Sequence, residues 1–72
     1  MNMRKTIGHN IKILRTAKGW SQEKLAIRSR LSISYTAALE RGEVNVSVDS
    51  LVKVAKSLEV ETHVLLMKLP NP

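Results

Sequence analysis

A repeated dipeptide, an apolar residue followed by a good helix-capping serine, stands at Trp20-Ser21, Leu31-Ser32 and Val46-Ser47. A serine hydroxyl at a helix start accepts a hydrogen bond from a free amide of the first turn. The apolar residue before it packs on the side chain five positions later and so fixes the angle of entry into the helix. Those later residues are Leu25, Thr36 and Leu51, the threonine offering a single methyl group. The pattern predicts three helix starts by one mechanism. Glu23 and Asp49 fall in first turns, where the helix dipole favours an acid.

A first helix precedes these starts. Ile7, Ile11 and Leu14 recur at i, i+4 and i+7, with Ala17 extending the stripe, and Gly19 is a natural left-handed stop. The helix after Ser47 has Leu51, Val54, Ala55 and Leu58 for its inner face. Val60 and Leu65 repeat the five-residue spacing and predict a last short helix. No segment alternates as a strand. The expectation is all-α, with five helices at roughly 4–18, 22–28, 33–41, 48–58 and 62–67, in a single domain spanning 1–72. The closing Pro70-Asn71-Pro72 reads as a frayed tail.

The second and third helices are short, and their capping serines lie eleven residues apart. A turn of about three or four residues, near Ser29 to Leu31, forces them to cross steeply, as in a helix-turn-helix over about 22–41. That arrangement presents its second helix outward for a major groove.

Charge points to the same partner. The chain carries a net +6, and residues 1–30 hold eight basic residues against the single acid Glu23, while residues 31–72 hold four against five acids. A basic half of this kind fits a polyanion. At 72 residues the chain buries only about 60% of its unfolded surface, and it has no cysteine to staple it. Its stability margin is therefore narrow unless a second copy adds to it. Lack of cysteine is compatible with a reducing cytoplasm. The start has no long apolar stretch, and no run reaches the ~20 apolar residues of a membrane span, so neither a signal peptide nor a membrane partner is expected.

No catalytic constellation is present: no Ser/His/Asp or Cys/His set, no paired carboxylates, and no phosphate-cradling glycine loop, since Lys18-Gly19 lacks the rest of that motif. His9 and His63 belong to no metal-ligating pattern. The expectation is no enzyme, no metal, no cofactor and no small-molecule ligand.

The segment from Ser21-Gln22-Glu23 through Leu25-Ala26, Leu31-Ser32, Tyr35, Leu39-Glu40-Arg41-Gly42, Asn45, Ser47, Leu51 and Ala55 resembles the phage-repressor and Cro type of helix-turn-helix, the xenobiotic-response-element family. The resemblance runs from about Ile7 to Leu66. It is strongest to compact stand-alone regulators, such as controller proteins of restriction–modification systems and the DNA-binding domains of small repressors. It implies a compact lambda-repressor-like domain that binds double-stranded DNA in a bacterial or phage-type cytoplasm, associated with the nucleoid.

The resemblance also assigns roles. It implies that Gln22 donates to a phosphate, that Ile33, Ser34 and Ala38 stand where base-contacting side chains fall, and that Ala37 shares their side. Tyr35 would touch the sugar-phosphate backbone, with Arg41 and Asn45 near phosphate. Arg15 and Glu40 would form a buried ion pair. The chain departs from the family pattern at Arg30 and Glu59, where glycine is usual, at Thr36, where isoleucine is common, and at Glu61, where a serine usually caps. Ile33 and Ala38 replace longer polar or basic residues. With no Arg, Asn or Gln outward between Ile33 and Ala38, few bidentate base contacts are expected. Thymine methyls, one serine hydroxyl and DNA shape are left to carry specificity.

Two copies on an inverted repeat are the usual remedy for the low affinity of one such domain. Val64, Leu65, Leu66, Met67 and Leu69, within 60–69, supply a candidate homodimer surface. The competing reading is an antitoxin or adaptor that uses the plain third helix for protein contact and binds DNA weakly.

Overall fold

The computed structural model describes residues 2–69. The expected frayed tail at 70–72 lies outside them. Four α-helices follow one another, α1 (Met3–Ala17), α2 (Gln22–Ser29), α3 (Ile33–Arg41) and α4 (Val48–Leu58), and a short 3₁₀ helix (Thr62–Leu66) closes the chain. Among the described residues there is no strand.

The three serines cap as their spacing predicts. Ser21, Ser32 and Ser47 accept from the amides of Lys24, Tyr35 and Ser50, each at 3.0 Å. The start of α1 carries a cap that the sequence reading did not single out. The Asn2 side chain accepts from the Arg4 amide at 3.0 Å.

All four α-helices end the same way. Just past each helix a residue takes a left-handed backbone, its amide bonds three residues back, and the next amide bonds five residues back. The pairs are Gly19 and Trp20 after α1, Arg30 and Leu31 after α2, Gly42 and Glu43 after α3, and Glu59 and Val60 after α4. In three of these turns the second residue is apolar and does two jobs. Trp20, Leu31 and Val60 close the preceding helix, and each is also the apolar residue that leads into the next one. All three are half-buried against the core. One side chain thus sets both sides of each corner, which is how such short connections hold a fixed crossing angle.

The core is formed by Ile7, Ile11, Leu25, Leu39, Val54, Ala55, Leu58 and Leu65. Gly8 lets α1 and α3 come together. A Cβ there would stand 2.6 Å from the Glu40 carbonyl oxygen and closer still to that of Leu39, so only glycine fits the crossing. The last helix is 3₁₀ rather than α. Glu61 provides no side-chain cap, and the buried Asn10 amide donates to the Leu65 and Met67 carbonyls at 2.9 and 2.5 Å. Asn10 therefore takes over the chain-end carbonyls and ties the C-terminal segment to α1.

Candidate nucleic-acid interface

The turn between α2 and α3 positions the outward helix. Arg30 at φ 58°, ψ 41° reverses the chain, the Leu31 amide bonds to the Ala26 carbonyl at 2.9 Å, and Ser32 starts α3. Helix α3 then splits cleanly by periodicity. Thr36, Leu39 and Glu40 are buried, whereas Ile33, Ser34 and Arg41 are exposed and Ala37 and Ala38 are half-covered. At about 100° per residue, the five side chains of the outer side span an arc of roughly 140°, a broad face opposite the buried positions. Ile33 keeps 49% of its surface exposed, a high value for a residue of its size. The buried Thr36 returns its hydroxyl to the Ser32 carbonyl at 2.9 Å, so the polar atom that replaces isoleucine is satisfied locally.

Beneath this face lies a polar network that locks α1, α2 and α3 together. Arg15 Nε and Nη2 donate to Glu40 Oε2 and Oε1 at 2.5 and 3.0 Å in a two-pronged pair. Arg15 Nη1 donates to the Trp20 carbonyl at 2.7 Å. Gln22 Nε2 donates to Glu40 Oε1 at 3.0 Å. The Glu40 side chain is only 2% exposed, so a carboxylate there depends on these donors. Gln22 sits at the first position of α2 with its side-chain amide on Glu40 Oε1.

The other sequence-derived residues distribute as follows. Tyr35 is half-buried and packs against the core. Arg41 is exposed and donates to Glu43 Oε1 at 2.9 Å in a surface ion pair. Asn45 is exposed in the loop between α3 and α4. In the C-terminal set, Leu66 and Met67 are 41% and 49% exposed, and Val64 and Leu69 are half-buried. Leu65 is a correction: it is fully buried in the monomer's own core, so it offers no surface to a second copy. The five-residue spacing from Val60 that identified a helix start already implied an inward Leu65.

Sequence reasoning missed Asn10, whose partners lie 55 and 57 residues away. It also missed a group of cations on the far flank of α2 and on α4. Helical spacing of Lys24 with Arg28, and of Lys53 with Lys56, could have signalled them. Glu59, on that flank, has its carboxyl held below the usual range by a hydrogen bond and charge from Lys18, 2.9 Å away, and then by Arg28.

The helix-turn-helix family model matches residues 11–65, and the chain belongs to this family. A helix-turn-helix transcriptional regulator of Sinorhizobium fredii is 43% identical over 67 residues, spanning 93% of this chain and 86% of that protein. The control protein C.BamHI of Bacillus amyloliquefaciens is 39% identical over 66 residues, 90% of this chain and 82% of its own. A hypothetical transcription factor of Neisseria meningitidis is 35% identical, and the chain spans 62% of its length. Among solved structures, the restriction–modification controller protein C.AhdI from Aeromonas hydrophila superposes with a TM-score of 0.84 at 44% identity, over 86% of this chain and 94% of that one.

Proposed function

We propose that this chain is a transcriptional regulator that binds double-stranded DNA by sequence, as a homodimer on an inverted repeat. Within that class it is a restriction–modification controller or a small repressor of the bacterial cytoplasm. The observation that carries the reading is the outer stripe of α3. It is free of ion pairs from Ile33 to Ala38, follows a tight turn that leaves Ile33 and Ser34 exposed, and is braced from within by Arg15, Gln22 and Glu40.

In this reading the N-terminus of α2 takes a phosphate through its free amides and Gln22. Helix α3 then lies in the major groove. Ile33, Ala37 and Ala38 meet thymine methyls, Ser34 bonds a base edge, and the small side chains let the helix approach closely. Tyr35, Arg41 and Asn45 fix the register against the backbone. Among the described residues no helix is long and apolar enough to cross a membrane, and the net charge of +6 suits phosphate.

The decisive test is selection of bound duplexes from a random library at about physiological salt, followed by sequencing. An inverted repeat with fixed spacing, half-sites about one DNA turn apart, is the expected result. Recovery of no motif by soluble, folded protein would reject sequence reading by α3 and move the weight to protein recognition.

A further inference from the structure

A second group of cations lies outside α3, on α2, the turn after it and α4. An open cleft of about 500 Å³ separates the C-terminal end of α2 from α4, lined by Arg28, Ser29, Arg30, Lys53, Lys56 and Ser57. No residue of α3 lines it. Its floor is neutral and self-contained. Ser57 donates to the Val54 carbonyl at 2.8 Å, which leaves Ser29, 2.8 Å from Ser57, to donate to it. Both hydroxyl protons are spent internally, and the groups left to meet a ligand are the cations at the rim.

The cleft does not end at Arg28. That guanidinium also stands 5.6 Å from the centre of the Trp20 ring, where the Lys18 and Lys24 ammonium groups each stand at 5.3 Å. A continuous basic strip therefore runs from the corner after α1, along α2, to the middle of α4. Glu59 answers Lys18. Among the described residues, Lys24, Arg28, Arg30, Lys53 and Lys56 enter no ion pair. So many like charges along one strip repel one another, and the repulsion is relieved by an anion of matching length.

We propose that this strip is a second DNA-backbone surface: while α3 occupies its operator, the α2–α4 strip holds the phosphates of another duplex segment, so that one protein bridges two stretches of DNA. The inference rests on the DNA-reading function proposed above. An extended polyanion matches the strip, whereas a small phosphorylated molecule would fill the cleft and leave the Trp20 end unmet. Single strands bind proteins through exposed aromatic platforms, and the chain's one tryptophan already carries three cations around its ring. Lysine and arginine without base-reading amides give phosphate contact independent of sequence.

The test saturates the protein with unlabelled operator and measures capture of a labelled non-operator duplex by fluorescence polarisation across a salt series. The variant is the triple substitution Arg28→Gln, Lys53→Gln and Lys56→Gln, all at exposed helical positions that tolerate glutamine, with helicity checked by circular dichroism. Wild type is expected to capture the second duplex with an affinity that falls steeply with salt. The triple variant is expected to lose about tenfold or more in capture, with a log–log salt slope shallower by about 1 per contact removed, and to keep its operator affinity. Equal capture by wild type and variant, or no capture by wild type at low salt, overturns the proposal. So does a parallel loss of operator affinity, which would place the strip in the reading interface. Binding of a nucleoside triphosphate without capture of any duplex would assign the cleft to a small ligand and overturn it as well. Failure of the α3 reading shows separately, as equal affinity for operator and random duplex.

Discussion

Arg30 and Glu59 hold left-handed backbones, at φ 58° and 61°, in turns whose counterparts after α1 and α3 use glycine. A side chain in that region costs roughly 1 kcal/mol through crowding of its Cβ against the following carbonyl. Arg30 lines the basic cleft among Arg28, Lys53 and Lys56, so its charge adds repulsion there. Arg30→Gly is therefore expected to raise unfolding stability by about 1 kcal/mol, read as a higher urea midpoint at unchanged slope. A lower midpoint would show that the arginine stabilises the turn. The opposite sign holds at Arg15. Arg15→Leu leaves the Glu40 carboxylate buried with only Gln22 as donor, and the expected loss is about 3–5 kcal/mol. Replacing both partners removes the orphaned charge, so Arg15→Leu with Glu40→Leu should recover most of that loss in the same denaturation series. A single-variant loss below about 1 kcal/mol would mean that water reaches Glu40 and that the pair does not brace α3.

At the scale of elements, what the sequence discloses depends on how far apart the partners lie. The starts of α2, α3 and α4 were legible because a capping serine, its amide and its flanking apolar residue sit within a few positions of one another. The helix-turn-helix was legible because two such signals stand eleven residues apart. The outer stripe of α3 followed from the same periodicity. The C-terminal element was less legible. Its start was marked by Val60 and Leu65, but its 3₁₀ form depends on Asn10, whose contact spans 55 residues and leaves no local trace. For the same reason Gln22 reads as a surface residue in sequence, while the structure has it on Glu40, 18 residues on. The stripe itself makes a sharp prediction. Ile33→Ala should reduce preference for thymine at one position of the half-site, by about 1 kcal/mol, and leave the remaining positions unchanged in a competition assay against single-base operator variants. Equal weakening on every sequence would deny Ile33 a base contact and give it a role in seating the helix.

For the whole molecule, the question is whether one copy suffices. In the proposed reading a chain of 72 residues sets a single short helix on each half-site, and one such domain alone binds weakly. Linking two such events through an interface raises affinity without any new contact to DNA, by about 10²–10⁴ where the spacing matches. The surface for that interface is smaller than the sequence suggested, because Leu65 is committed to the core. Leu66 and Met67 remain outward, with Val64 and Leu69 beside them. Their backbone is held by Asn10, so the patch is presented rigidly rather than on a loose end. Wild type is expected to sediment as a dimer at high micromolar concentration. Leu66→Glu places a charge on the exposed side of the 3₁₀ helix, where it costs the monomer little but would be buried against its copy in a dimer. It should sediment as a monomer with unchanged helicity and lose operator affinity by on the order of 10²-fold, while its binding to an isolated half-site stays as before. A wild type that remains monomeric at those concentrations would place dimerisation on the DNA itself or elsewhere on the surface. A Leu66→Glu protein that dimerises normally would remove this patch from the interface.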